Sequence, residues 1–264
     1  MTTITKKTKH MGILEFKEID YKTSKDMIVA NHYSHTWNNA FGCINIGVFR
    51  ESKLLGVAVF GNMMNPNGYK SIADIEKNEI IELNRLWISD ELGHNAETIT
   101  LGACWKILKK DYPHIKLVQS FVDGRLGCGT IYKASNFKYY GYTKSLFFEN
   151  KVTKDVYHQA TLNNTARLKS MIERNRDYLD GNLFTFQVKT YRYIYILDKK
   201  VEVKLVEKPY PQYDIGSEYV EYKHPDTLLA KLAIVYDNLG EYKYSEKAIA
   251  KMKDISQLDK QKKY

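Results

Sequence analysis

Residues 127–142 read GCGTIYKASNFKYYGY, a short helical run centred on Tyr132 that halts at Asn136 and passes into an aromatic strand. Asparagine is the usual substitute for glycine where a helix ends in the left-handed conformation. Tyr132 therefore sits on a one-turn helix squeezed between two strands, KLVQSFVD at 116–123 and KYYGYTKSLFFEN at 138–150. Two readings of it stay open at this scale: a core aromatic, the default for an apolar short helix, and a proton donor in a site.

Working outward, EIIELNRLWIS at 79–89 is strand-like, with apolar residues at Ile81 and Leu83 and then, one position out of step, at Leu86 and Ile88. A slip of that kind is what a β-bulge produces. Upstream, INIGVFRE (44–51) and KLLGVAVFG (53–61) form a hairpin turning through residues 50–53, after a helix capped by Ser24 that runs through KDMIVANHYSH (25–35). GNMMNPNGYKSIAD (61–74) is a loop, and NAETITLGACWKILKKDYP (95–113) puts Ile99, Ala103, Ile107 and Leu108 on one helical face before Pro113 stops it. Helix, hairpin, strand, helix, strand, helix, strand is a mixed α/β (α+β) order.

The totals admit a large core and favour a polyanionic partner. The 264 residues carry 40 Lys+Arg against 31 Asp+Glu, a net charge of +9, with 21 tyrosines whose flat faces suit both half-buried sheets and stacking on bases. The three cysteines, Cys43, Cys104 and Cys128, are scattered, with no Cys-x-x-Cys pair, so neither a zinc knuckle nor a disulfide framework is expected. Residues 1–12, MTTITKKTKHMG, form a flexible polar arm with no apolar run behind the lysines, and no segment reaches the roughly 20 apolar residues of a membrane span. The arm, a core at 13–150 and a basic extension at 151–264 are the expected divisions. Within the extension, a basic helix near 163–178 and the strand FTFQVKTYRYIYIL (184–197) offer Lys169, Arg174, Arg176, Lys189 and Arg192 as candidate DNA contacts. The alternative for this region is a solvated lid.

Several of these patterns, in this order, resemble the phage Mom family of DNA modification proteins, a divergent branch of the GNAT N-acyltransferase superfamily. The residues that carry the likeness are NHYS (31–34), ELNRLWI (82–88), SFVDGR (120–125), GTIYKASNF (129–137) and YGY (140–142), and it extends to about residue 211 through YRY (191–193) and KPYP (208–211). The resemblance implies a GNAT-like mixed sheet with flanking helices, and modification of adenine at N6 in phage DNA, which shields that DNA from restriction in the host cytoplasm. It implies catalytic roles for His32, Tyr33, Asp123 and Tyr132, with double-stranded DNA and a small group donor as partners; a homodimer is compatible with it. One departure stands out. Where the superfamily has a glycine-rich pyrophosphate loop, this chain has SDELGHNAE (89–97), whose Asp90 and Glu91 repel a pyrophosphate.

The chemistry then assigns provisional roles. An adenine must be extruded from the duplex, at roughly a few kcal/mol, and held by stacking; Tyr33, Trp37, Trp87 and Tyr139 are candidates. Asp123 or His32 is the candidate acceptor of the N6 proton, and Tyr132 the donor to the leaving group. Arg85 and Arg125 are candidate clamps for an anionic group, with Asn84 and Ser120 beside them. The donor stays open between acetyl-CoA and another small acyl or alkyl donor. Because the family's group is an acetamide-type group attached to nitrogen through carbon rather than a simple amide made from an acyl thioester, ordinary acyl transfer does not account for it. An iron requirement associated with the family makes His32, His35 and Asp123 a candidate two-histidine, one-carboxylate set. Two other readings are a conventional acyl-CoA N-acetyltransferase for a protein or small amine, and a non-catalytic DNA-binding relative.

Overall fold

In the computed structural model, which describes residues 1–162, 168–220 and 226–261, the chain divides into two units. The first comprises Met1–Thr143 and Thr190–Tyr213, the second Lys144–Lys189 and Asp214–Tyr264. The elements are β1 (Ile4–Lys7), β2 (Ile13–Glu18), α1 (Tyr21–Asn31), β3 (Ile44–Arg50), β4 (Lys53–Gly61), β5 (Ile80–Ile88), α2 (Ala96–Asp111), β6 (Leu117–Asp123), α3 (Thr130–Ala134), β7 (Lys138–Asn150), β8 (Val156–His158), α4 (Leu168–Leu179), β9 (Leu183–Ile196), β10 (Tyr219–Val220), α5 (Asp226–Asn238) and α6 (Tyr242–Gln261). The expected mixed α/β class with flanking helices holds. No helix among the described residues is long and apolar enough to cross a membrane.

In the first unit the sheet runs β1-β2-β3-β4-β5-β6-β9, antiparallel except for the parallel step from β5 to β6. That step is brief: Ile80, Ile81 and Glu82 face Leu117, Val118 and Gln119, and there the pairing ends. Beyond it β5 stays laddered to β4 while β6 stays laddered to β9 as far as Asp123 opposite Thr190. The sheet therefore opens into a wedge. The expected bulge lies at its mouth: Leu83 pairs with Phe60 and Arg85 with Val59, leaving Asn84 as the inserted residue. Leu101, Cys104, Ile107 and Leu108 of α2 bury against this sheet together with Phe16, Phe60, Phe137 and Tyr193.

Three expectations are corrected. The arm at 1–12 is ordered: β1 adds an edge strand to β2, and Thr2 donates twice to the Asp111 carboxylate, each at 2.6 Å. The first helix starts four residues early, capped by Asp20, whose carboxylate accepts from the Thr23 amide at 2.9 Å; Ser24 is buried and donates to Asn45 instead. The division at residue 150 also moves. β9 pairs with β6 along seven residues and sinks Tyr191 and Tyr193 into the first unit's core, while Leu146, Phe148, Tyr178, Leu183, Leu229 and Tyr236 form the core of the second. Long-range pairing of that kind has no local signature.

Gly61, at the end of β4, is needed where the backbone of Ala40 crosses it, since a Cβ there would lie 2.2 Å from the Ala40 carbonyl oxygen. That crossing holds the segment after α1 over β5. The hairpin tip is built less comfortably: Glu51 and Ser52 take φ of 50° and 66°, the pair of left-handed residues a two-residue turn of this type requires. Ser52→Gly is expected to raise stability by about 1 kcal/mol, read as a higher denaturant midpoint at unchanged slope. A lowered midpoint would show that the serine side chain supports the turn.

Candidate active site

A cavity of about 430 Å³ occupies the wedge, a volume typical of small-molecule sites. Its walls are the diverging strands, with Leu83 to Ile88 on one side and Phe121 to Asp123 on the other; α3 supplies Ile131 and Tyr132, the end of α1 supplies Asn31, and the two residues after it are His32 and Tyr33. Sequence-predicted residues thus converge: His32, Tyr33, Asn84, Arg85, Trp87, Asp123 and Tyr132 all line it.

The closed end of the wedge holds a buried acid. Glu82 accepts from the side-chain amides of Asn84 and Gln119, each at 3.3 Å, and burial pushes its carboxyl above the usual carboxylate range. Next to it the Ser120 hydroxyl lies 3.0 Å from the Leu83 carbonyl oxygen and 2.9 Å from the Tyr132 hydroxyl. One serine proton serves two acceptors. When it goes to Leu83, Tyr132 donates to Ser120; when it turns to Tyr132, the phenol proton is free for the cavity. Ser120, expected to touch substrate, is instead the group that sets the phenol's orientation. Burial raises the Tyr132 pKa, so the phenol is protonated at neutral pH.

Tyr132 is held from behind by Tyr193, whose ring stacks on it at 5.2 Å and 17°, and edgewise by Phe137 at 5.0 Å. The Tyr193 hydroxyl donates to the Cys128 carbonyl oxygen, tying β9 to the start of α3. Gly129 makes that approach feasible. Its φ is +91°, and a Cβ would lie 2.7 Å from the Tyr193 ring. Tyr193 was not singled out from sequence as a support; glycine one turn before Tyr132 was the available signal.

Arg85 is the cavity's cation. Its Nη1 donates to the Asn84 carbonyl oxygen at 2.7 Å, its Nη2 to Thr36 Oγ1 at 3.1 Å, and its plane lies 4.6 Å from the centre of the Phe41 ring. Its Nε is buried with no hydrogen-bond partner among the described residues, and burial lowers its pKa, which leaves an arginine charged nonetheless. Arg125 differs: it grips both oxygens of Asp123, with Nε at 3.0 and 3.1 Å and Nη2 at 2.5 Å. Asp123 lines the cavity with its charge already matched, and also accepts from the Arg125 amide at 3.0 Å to start the turn that follows.

His32 is 6% exposed and lies just beyond the helix, as the residue that closes α1. Burial first, then the charge of Arg85 and the proximity of His35, lower its pKa from 6.5 to about 4. Tyr33 packs its ring 4.2 Å from that of His32 and remains 65% exposed at the rim. Of the other stacking candidates, Trp87 lines the cavity. Trp37 does not; its indole N–H donates to the Tyr21 hydroxyl at 2.6 Å and its ring packs on Tyr21 and Phe41. Tyr139 is buried against Tyr191 and Tyr193.

The proposed iron set does not fit. His32 and His35 do not share a helix face, because α1 ends at Asn31; His35, at φ 45°, donates Nδ1 to the Val29 carbonyl oxygen at 3.0 Å, and both Asp123 oxygens belong to Arg125. No group of three His, Cys, Asp or Glu suited to a metal occurs among the described residues. A coenzyme A pyrophosphate fits no better. Asp90 and Glu97, flanking the start of α2, face the cavity, where a polyanion would meet like charge; Glu91 is drawn aside by Lys53 at 2.8 Å and Arg50 at 3.5 Å. Asp90 stands where the sequence placed a repelling acid, while Glu97, not Glu91, is the second acid that lines the cavity.

Of the candidate DNA contacts in the later segments, Lys169 is exposed and Arg174 lies over the Tyr157 ring at 4.6 Å. Arg176 is committed to Glu241, and Arg192 packs over Phe121 with its Nε buried, so both serve internal contacts. Lys189 is half-buried, its backbone N–H bonded to the Glu218 carbonyl oxygen. Residues 163–167, the start of the expected basic helix, lie outside the described residues.

Two outcomes follow from this geometry. Gly129→Ala forces the Tyr193 ring away and strains φ, and is expected to cost about 2 kcal/mol or more in unfolding free energy; an unchanged thermal midpoint would contradict the stacked Tyr132–Tyr193 arrangement. The depressed His32 pKa means that the unfolded chain binds a proton there before the folded one. Stability is then lost as pH falls from about 6.5 toward 4. His32→Gln should flatten that part of the stability profile, and an identical profile would contradict the burial of a neutral imidazole.

Comparison with known proteins places these residues in context. A model of the Mom protein family matches residues 13–212, a span that contains every cavity residue. The methylcarbamoylase Mom of Escherichia phage Mu is 32% identical over 210 residues, covering 75% of this chain and 84% of that protein. Solved structures with a similar arrangement include a ribosomal-protein-S5-alanine acetyltransferase from Vibrio fischeri (9% identity, TM-score 0.42, 74% of this chain and 98% of that one) and a spermidine/spermine N-acetyltransferase from Vibrio cholerae (10% identity, TM-score 0.39, 71% and 94%). The chain belongs to the Mom protein family and is a transferase.

Proposed function

We propose that the chain modifies adenine in DNA, attaching a methylcarbamoyl-type group to N6 and so protecting phage DNA from restriction in the cytoplasm of the infected bacterium. The observation that carries this reading is that the wedge cavity, with its aromatic rim, the arginine Arg85 and a buried phenol, lies wholly within the span matched by the Mom family. An extruded adenine has Tyr33 and Trp87 to stack on, and the loss of base stacking in the duplex is partly offset there. The exocyclic nitrogen, delocalised into the ring, needs a donor held close and in line more than it needs a strong base. Arg85 is the group to hold the donor's polar or anionic end, and Tyr132 the acid that protonates what departs. The donor is a small molecule other than a standard coenzyme A thioester, since Asp90 and Glu97 oppose its pyrophosphate. Lys169 and Arg174 remain candidates for contact with the DNA backbone.

The test is co-expression with a plasmid, followed by mass spectrometry of its nucleosides. A new adenine nucleoside of higher mass is expected, falling by roughly a hundredfold or more in Tyr132→Phe and in Arg85→Gln. A plasmid that holds only ordinary and methylated adenine, with the protein folded and abundant, would overturn the proposal.

A further inference from the structure

Two side chains, Thr36 and Ser34, connect Arg85 to His32 by hydrogen bonds. Arg85 Nη2 donates to Thr36 Oγ1 at 3.1 Å, Thr36 Oγ1 to Ser34 Oγ at 3.2 Å, and Ser34 Oγ lies 2.9 Å from His32 Nδ1. The backbone N–H of Ser34 reaches the same Nδ1 at 3.1 Å. Both ends of this chain are chemically fixed. A guanidinium can only donate, and so can a backbone N–H. The Ser34 N–H therefore requires a lone pair on Nδ1, which leaves the Ser34 hydroxyl to donate to that same atom while it accepts from Thr36. A neutral imidazole has one ring proton, so it resides on Nε2.

We infer that His32 serves the cavity as a neutral hydrogen-bond donor through Nε2–H, not as a base, with Ser34 as its positioning residue. The lone pair needed to accept a proton from adenine N6 is turned into the His32–Ser34 turn. The opposite edge of the ring is left for the cavity that His32 lines, and no hydrogen bond to Nε2 occurs among the described residues. Protonating the ring would place a proton on Nδ1 against two donors, with burial, the Arg85 charge and His35 also opposing it and the Tyr33 ring packed alongside at a tilt of 34°. The geometry and the depressed pKa agree.

A neutral donor of this kind suits an acceptor that gains negative charge during reaction. In acyl transfer that atom is the carbonyl oxygen and in alkyl transfer it is the departing atom; either belongs to the group donor. A hydrogen bond to adenine itself would withdraw electrons from N6 and slow attack. For what is bound the inference rests on the function proposed above; for the tautomer it rests on the hydrogen bonds at Nδ1 alone.

The tautomer is measured directly by long-range ¹H–¹⁵N correlation of the imidazoles in the full-length protein, with the His32 signals identified by their loss in His32→Gln. The pattern expected is one protonated nitrogen, Nε2, persisting unchanged from pH 8 to pH 5.5. An Nδ1–H pattern, or an imidazolium at pH 7, overturns the inference. The activity readout separates donor from base: glutamine keeps an N–H near the position of Nε2 but has no basic lone pair. His32→Gln is therefore expected within roughly tenfold of wild type, while His32→Ala falls a hundredfold or more. Equal loss in both, in folded protein, overturns the donor role. An Nε2–H spectrum in a protein that leaves adenine unmodified would reject the proposed function and leave the tautomer standing.

Discussion

The early parting of β5 from β6 is the constraint on which the site depends. Three residues of parallel pairing bring the strands together; then the inserted Asn84 turns β5 aside while β6 follows β9. Where ladder bonds would continue, the junction is closed by side chains: Glu82 between two amides, and Ser120 against the Leu83 carbonyl. A buried carboxyl and a buried serine are costly substitutes for a ladder unless fully bonded. Here they leave an opening large enough for a ligand, with Tyr132 bonded to the same serine that spans it.

Charge is distributed in that opening with little redundancy. Asp123 is cancelled by Arg125 and Glu91 is held outside by lysine and arginine, which leaves Arg85 within and Asp90 and Glu97 at the start of α2. Two carboxylates thus stand at the helix end that usually welcomes a polyanion, with the Arg85 guanidinium in the same cavity. Arg85 lines the cavity, and its Nη2 donates to Thr36, the first link toward the His32 ring. Residues 32–36 thus form a device rather than a pair of catalytic side chains.

Much of the core was legible in sequence because its signals are local. The one-residue slip between Leu83 and Leu86 located the bulge, and Asn136 located the end of α3, where φ is 61°. The convergence of His32, Tyr33, Arg85, Trp87 and Tyr132 also came through, because the Mom-family motifs fall on those residues. Other features depend on competition between near-equals. Asp20 and Ser24 are both good caps, and the earlier one won because Ser24 found a buried partner in Asn45. Trp37 read as a stacking residue, yet Tyr21, sixteen positions away, took it. Arg125 and Asp123 each read as ligand groups, and their spacing let them satisfy one another. The entry of β9 into the first unit had no local sign, and it is β9 that brings Tyr193 behind Tyr132.

The central claim is that the wedge receives the base to be modified. Photocrosslinking tests it most directly: a duplex carrying a photoreactive adenine analogue at the target position is irradiated with the full-length protein, and the attached peptides are mapped by mass spectrometry. Attachment is predicted at Tyr33 and at the 83–88 segment around Trp87, and should fall when Tyr33 is replaced by alanine. Crosslinks confined to residues outside the cavity, with DNA bound at full occupancy, would contradict the account.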